Sequence, residues 1–224
     1  MDIKNLYLFQ NLNATEIEKS LHCSQSQVME YEKGSFIFHQ EEKPQWLYLI
    51  LSGTILVGQT NSVGRRLYAE YLYEGNSFGE TDLFLQRPKY DFYSIAKTKV
   101  TLLAVSRHFF AGVCSHNCPH HGKIIFNMLH IFAEATQRNA TKIQLLTSGT
   151  LRGRTSYYLY SLSRGQKYVE LPLNREELAI YLNTARPSLS RELSNMQRDG
   201  LIKLSGRKGV EILNFELLEL EFES

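Results

Sequence analysis

One stretch limits the fold more than any other. In NREELAIYLNTARPSLSRELSNMQRDGLI (174–202), Leu178 and Leu182 form one short run of helical spacing, and Leu189, Leu193 and Met196 form a second. Asn174 stands where the first helix needs its N-cap. Asn183, between the runs, tolerates a left-handed backbone. Thr184 is the expected cap of the second helix, and Pro187 falls in its first turn, where a missing N–H costs little. Ala179 is small where two helices must approach closely. The outward face of the second helix offers Arg186, Ser188, Ser190, Arg191 and Asn195. A helix, a three-residue turn and a second helix with basic and hydroxyl groups near its start suit the major groove of DNA. The alternative is an ordinary helical hairpin with a solvated face. LIKLSGRKGVEIL, which follows, weighs against it. It reads as a β-hairpin whose turn, Gly206-Arg207-Lys208-Gly209, can reach a phosphate backbone.

The earlier chain has a different texture. Asn13 followed by Glu16 reads as a capping box for a helix running to about Cys23. From Tyr31 to about Leu103, short apolar runs alternate with turns marked by Gly34, Gly53, Gly64, Gly75 and Gly79. The runs are FIF (36–38), WLYLIL (46–51), TILVG (54–58), LYAEYL (67–72) and KVTLLAV (99–105). Many short strands with regular turn signals predict a β-sandwich or small barrel. A metalloenzyme of cupin type needs clustered histidines on adjacent strands. This region holds only His39, so the chain is not read as an enzyme.

After Ser106 the spacing turns helical. One short helix runs from His108 to about Ser115, and a long one, with Pro119 in its first turn, reaches about Leu146. Along it Ile125, Leu129, Phe132, Thr136, Asn139, Ile143 and Leu146 alternate steps of four and three, the heptad spacing of a seam for a partner helix. Packing on the chain's own β domain is the alternative, but a polar Asn139 suits a coiled-coil register better. Gly149 and Gly153 mark a hinge before the last domain. Between the helices Cys114, His116, Cys118 and His120 are the candidates for a metal or redox sensor. No metal is expected, since Cys-x2-Cys spacing is lacking and the turn before Pro119 scatters these side chains.

Hydrophobic residues make up 43% of the 224, enough for buried cores. The net charge of +2 implies no polyanion partner, but its distribution does. Between Lys142 and Ile212, Lys and Arg outnumber Asp and Glu about two to one, and acids return at Glu216, Glu219, Glu221 and Glu223. An odd set of 3 cysteines without a framework pattern fits a reducing compartment. The opening MDIKNLYLFQNLNATE lacks a basic-then-apolar signal, and no apolar run approaches the ~20 residues that span a bilayer. The expectation is a cytoplasmic protein with no membrane partner.

Taken in order, YEKGSFIF, WLYLILSGTILV, the strands ending in Phe78-Gly79-Glu80, AKTKVTLLAV and NREELAIYLNTARPSLSREL resemble the cyclic AMP receptor protein and fumarate-nitrate reduction regulator superfamily. The resemblance covers nearly the whole length. It implies an α+β fold in three parts. The first is an N-terminal β-roll sensor domain over 1–118 (a double-stranded β-helix, or cupin-like jelly roll). A dimerisation helix and hinge over 119–148 and a winged helix-turn-helix over 149–224 complete it. It also implies an effector-responsive transcription regulator that binds palindromic double-stranded DNA as a homodimer, with RNA polymerase as a protein partner. The DNA contacts it implies fall on Asn174, Thr184, Arg186, Ser188, Ser190, Arg191, Arg207 and Lys208. A ligand sensor or adaptor without DNA binding is the alternative, and the face carrying Arg186 and Arg191 argues against it.

Two features depart from the cyclic-nucleotide pattern. In relatives that bind cyclic AMP, Phe-Gly-Glu is followed about ten residues later by an Arg-Ser pair whose Arg neutralises the cyclic phosphate. Tyr90 and Asp91 stand there in this chain, and the Thr-Ser pair that reaches the adenine appears as Asn139 and Ala140. A carboxylate facing a phosphate repels it, so the effector is not expected to be cyclic AMP, although Arg87 and Lys89 are neighbours that could supply charge. The effector pocket is placed at Phe78, Gly79, Glu80, Tyr90, Asp91 and Phe92, with Asn139 from the long helix of a second copy. Small molecule and haem both stay open. An iron–sulfur cluster is not expected, because those relatives use an N-terminal cysteine cluster and Cys23 stands alone. Many relatives carry, at the place of Pro187, a Glu that accepts from cytosine, so a different base pair is expected there.

Overall fold

The structure is a computed structural model that describes residues 2–63, 66–111, 118, 120–147 and 149–223. After two 3-10 turns, helix α1 (Ala14–Cys23) leads into strands β1 (Gln27–Tyr31), β2 (Phe36–Phe38), β3 (Trp46–Ser52), β4 (Ile55–Thr60), β5 (Arg66–Leu72) and β6 (Ser77–Phe78). Helix α2 (Glu80–Phe84), strands β7 (Tyr93–Ala96) and β8 (Val100–Ser106) and helix α3 (His108–Ala111) follow. The long helix α4 (His121–Thr147) precedes α5 (Leu151–Ser163), β9 (Tyr168–Glu170), α6 (Arg175–Tyr181), α7 (Arg186–Arg198), β10 (Ile202–Ser205), β11 (Gly209–Ile212) and α8 (Phe215–Glu223). Two compact units result, Met1–Ala135 and Thr136–Ser224.

In the first unit, antiparallel sheets of order β1-β8-β3-β6 and β2-β7-β4-β5 make the jelly roll. The continuous apolar runs of β3 and β8 follow from burial on both faces, since successive side chains of a strand point to opposite sides. Leu47, Leu49 and Leu51 of β3, with Leu103 and Val105 of β8, meet Ile17 of α1 and Ile124, Met128 and Ile131 of α4 in one core. Tyr48 and Ile50, with Leu102 and Ala104, face the other sheet and its aromatic core. Removing a Leu or Ile side chain from water contributes roughly 1.5–3 kcal/mol, which makes this two-faced strand pair the mainstay of the unit. The 3-10 turns are part of it: Leu6, Leu8 and Phe9 are buried, and Asn127 Nδ2 on α4 donates to Leu8 O and Gln10 O at 3.0 and 2.9 Å.

Local signals place several elements where the residues predict them. Asn13 caps α1 in a full capping box with Glu16. Others differ. Strands β1 and β7 and helix α2 lie outside the runs singled out in the sequence. The expected hinge at Gly153 lies inside α5, where Thr150 Oγ1 accepts its N–H at 3.0 Å. A glycine in the first turn costs a helix little when its N–H is satisfied in this way. The acidic tail is helical because Leu218 is fully buried and Phe222 packs on Tyr157 and Tyr160. Pro119, expected in the first turn of α4, lies outside the described residues, as does the end of the short helix expected to reach Ser115.

Candidate nucleic-acid interface and effector region

The second unit builds a helix-turn-helix from its core outward. Leu178 of α6 and Leu182 at its C-cap, with Leu189, Leu193 and Met196 from α7, are all at most 1% exposed and share one core with Leu145, Leu159, Ile202 and Val210. Asn174 Oδ1 accepts from the N–H of Glu176 and Glu177, and Glu177 returns a bond to Asn174 N–H, a capping box that contributes about 1 kcal/mol. Asn183 takes the left-handed backbone expected of it, with φ 51°. Thr184 N–H closes the turn on Ala179 O at 2.9 Å. The cap of α7 is Ala185 rather than Thr184, without a side-chain bond. Starting one residue later leaves Arg186 and Pro187 as the first two helical residues, a place where proline removes no helical hydrogen bond.

Helical spacing then decides what α7 shows outward. Opposite its buried stripe, Pro187, Arg191, Ser194 and Arg198 succeed one another at steps of four and three, all exposed, with Ser188 and Ser190 on the flanks. Arg198, beside Asn195 Oδ1 at 3.2 Å, extends this face beyond the residues singled out in the sequence. Behind it, Arg152 on α5 clamps three elements through Asp199 (2.6 Å), Glu221 (2.9 Å) and Glu192 (3.7 Å). Burial works against that guanidinium's charge, and the three carboxylates outweigh it, holding its pKa up.

The wing is the three-stranded sheet β10-β11-β9. Its turn exposes Arg207 and Lys208, and Lys208 Nζ donates to Pro172 O at 3.4 Å. A side chain at Gly209 would meet Ser205 O and the Tyr168 hydroxyl at 2.5 Å, so only glycine lets this turn close. Gln197 Oε1 accepts from Leu204 N–H at 2.7 Å, tying α7 to the wing. The unit thus offers a convex basic helix beside a basic hairpin, a shape suited to one major groove and its flanking phosphates.

Gly79 (φ 82°) caps α2 in the left-handed region, and a side chain there would come within 3.1 Å of Trp46 O. Glu80 begins α2, half-buried. Phe78 and Tyr90, expected at the pocket, are buried in the core of the β domain. Both are 3% exposed, Tyr90 stacks on Phe38 at 3.9 Å, and Phe78 stacks on Tyr48 at 5.0 Å. Burial pushes the Tyr90 phenol up to about 12 and raises Tyr48 further still, so both stay neutral. Phe92 is half-buried. Arg87 is engaged by its own chain: its Nη1 meets Asp82 Oδ1 at 3.1 Å and also pairs with Asp91, while Lys89 pairs with Glu41. Both nearby cations therefore already face carboxylates. Asp82 is buried, which pushes its carboxyl up against the opposing effects of the Asp91 N–H and Arg87.

On α4, Ile125, Leu129 and Ile143 of the expected seam are exposed, as is Phe126, and Thr136 and Asn139 face solvent with them. Phe132 and Leu146 are half-buried. Phe132 sets its ring edge-on to Phe84 at 5.5 Å, and Leu146 packs on the second unit's core. Of the candidate sensor residues, Cys114 and His116 lie outside the described residues. His120 is buried, Cys118 half-buried, and among the described residues no three His, Cys, Asp or Glu side chains come together as a metal set. Cys23 does not stand alone: it lines one cleft with Cys118 and His120, a proximity that spacing in the chain does not show. No helix among the described residues is long and apolar enough to cross a membrane.

Comparison with known proteins places these features. Residues 28–117 match the cyclic nucleotide-binding domain family, and residues 153–220 match the Crp-like helix-turn-helix domain family. The chain is 27% identical to the cyclic AMP receptor protein of Thermus thermophilus, over 97% of both chains. Among solved structures, the c-di-GMP responsive global regulator CLP of Xanthomonas campestris superposes with a TM-score of 0.69 at 20% identity, covering 90% of this chain and 100% of that one. A CooA mutant of Carboxydothermus hydrogenoformans gives 0.69 at 18%, covering 96% and 92%. With both domain families matched in order along one chain, and a curated relative aligned end to end, this protein belongs to the cyclic AMP receptor protein and fumarate-nitrate reduction regulator superfamily of DNA-binding helix-turn-helix transcription regulators.

Proposed function

We propose that the protein binds a palindromic operator as a homodimer, with one α7 in each of two major grooves and occupancy set by an effector that is not cyclic AMP. The carrying observation is the exposed face of α7, where Arg191 stands opposite Leu189, Leu193 and Met196 with serines around it. Arg191 can take guanine O6 and N7 together, and Arg186 or Ser188 reads the base pair that Pro187 cannot. Arg207 and Lys208 touch phosphates, and Asn174 and Thr184 approach the backbone from α6 and the turn. The exposed Ile125, Leu129 and Ile143 support α4 as the dimer helix, with Asn139 setting register. The parts are a sensor over 1–118, the helix and hinge over 119–148, and the DNA reader over 149–224. The effector is a small molecule or haem held near Gly79, Glu80, Asp91 and Phe92. The reading is of a cytoplasmic regulator that meets RNA polymerase at its promoters and performs no catalysis.

A mobility-shift screen of genomic fragments, followed by footprinting, tests this reading. It expects an inverted repeat with half-sites about one helical turn (~34 Å) apart. A protected site without two-fold symmetry, or no retained fragment at all, would overturn it.

A further inference from the structure

Cys23 closes α1, and Cys118 precedes α4, yet both line one cleft of about 900 Å³ together with Lys19, His22 and His120. The elements carrying the two thiols are fastened to each other. Lys123 Nζ in the first turn of α4 meets Glu16 Oε1 at 3.3 Å and donates to Asn11 O at 3.2 Å. Glu16 lies on α1 with Cys23, about 10 Å away at a helical rise of 1.5 Å per residue. Cys23 is exposed and Cys118 half-buried. Two thiols that line one cleft are open to two-electron oxidation.

We propose that Cys23 and Cys118 form a dithiol site that a hydroperoxide oxidises to an intramolecular disulfide. Cys23, the more exposed, meets the oxidant first. Its thiolate attacks the O–O bond, which breaks, and one oxygen stays on sulfur as a sulfenic acid while the other leaves as hydroxide or alkoxide and takes up a proton. The Cys118 sulfur then attacks the Cys23 sulfur. The S–O bond breaks, the S–S bond forms, and the thiol proton leaves with the departing oxygen as water. For hydrogen peroxide, two thiols and one peroxide become one disulfide and two waters. A disulfide holds its Cα atoms about 4.4–6.8 Å apart, so the bridge ties Cys118 to the end of α1. It therefore acts at the base of the helix whose apolar face is exposed. The proposal does not depend on how that face or α7 is used.

The test treats the reduced full-length protein with hydrogen peroxide. The expected result is a mass loss of about 2 Da, reversed by dithiothreitol, with a linked tryptic peptide whose fragment ions join Cys23 to Cys118 and leave Cys114, on the same peptide, alkylated. Titratable thiols should fall from the 3 of the sequence to one. Cys114→Ser should behave like the wild type. Cys118→Ser should instead accumulate a sulfenic acid at Cys23 that dimedone traps, and Cys23→Ser should lose no mass. A link through Cys114, a disulfide between two chains, stepwise oxygen addition without a linked peptide, or no mass change would each overturn the proposal. The wild-type arm decides even if a serine variant fails to fold.

Discussion

In the α2–β7 loop, Arg87 faces Asp82 and Asp91 and Lys89 faces Glu41, whereas on α7 and the wing Arg186, Arg191 and Arg207 meet no carboxylate among the described residues. The same residue types are used in opposite ways. A guanidinium paired within its own chain must give up that partner before it binds an outside anion, so the net gain is small. An unpaired one loses only water and counterions, and their release drives binding to a polyanion. Arg186, Arg191 and Arg207 are kept available, whereas Arg87 and Lys89 are neutralised by their own chain. That difference is what the proposed DNA-reading surface and the proposed effector region rest on.

The largest expected effect tests the available side. Arg191→Ala should weaken binding to the selected operator by about 1–3 kcal/mol per half-site and relax preference at one symmetric base pair. Equal loss on every single-base variant would make Arg191 a phosphate clamp. Arg207→Ala comes next. It should weaken all sequences alike and reduce the slope of log affinity against log salt by about 1 per wing. An unchanged slope would place the wing away from the backbone. On the paired side, calorimetry should find no micromolar affinity for cyclic AMP. Affinity of that order would show that Asp91 yields Arg87 readily, and the contrast between the two regions would collapse.

How much of this was legible in the residues depends on whether the signal was local. The boxes at Asn13 and Asn174, the left-handed Asn183 and the Leu189/Leu193/Met196 stripe are set by neighbours within a few positions, and the structure has them. Thr184 misled because a threonine just before a helix resembles a cap, yet Pro187 is accommodated with Ala185 in that place. The α8 segment showed only its returning acids, and the tertiary fold gives Leu218 its burial and Glu221 its Arg152. Tyr90 shows the limit most clearly. Counting from Glu80 finds the position but not the direction of its side chain, and Phe38 on another strand holds the ring inside. Cys23 and Cys118 share a cleft for the same non-local reason.

The smallest expected effect probes the paired side through pH. Asp82 is buried, and burial raises its carboxyl above the ordinary 3.8 despite Arg87 and the Asp91 N–H. The folded state therefore holds a proton more tightly than the unfolded chain does. Stability linked to this group is fully present below pH 3.8 and declines as pH rises through the raised folded value. Asp82→Asn removes the titration while keeping shape and one hydrogen-bonding oxygen. Trp46, the single tryptophan, sits on β3 and reports unfolding of the first unit by fluorescence. The stability of the wild type minus that of Asp82→Asn should fall as pH rises from about 4 towards neutrality. Should the difference rise instead, the pairing with Arg87 outweighs burial and Asp82 is a net stabilising anion. The loop would then be held by its ion pair, with Arg87 still less open to an external phosphate, and the contrast with α7 would be sharper.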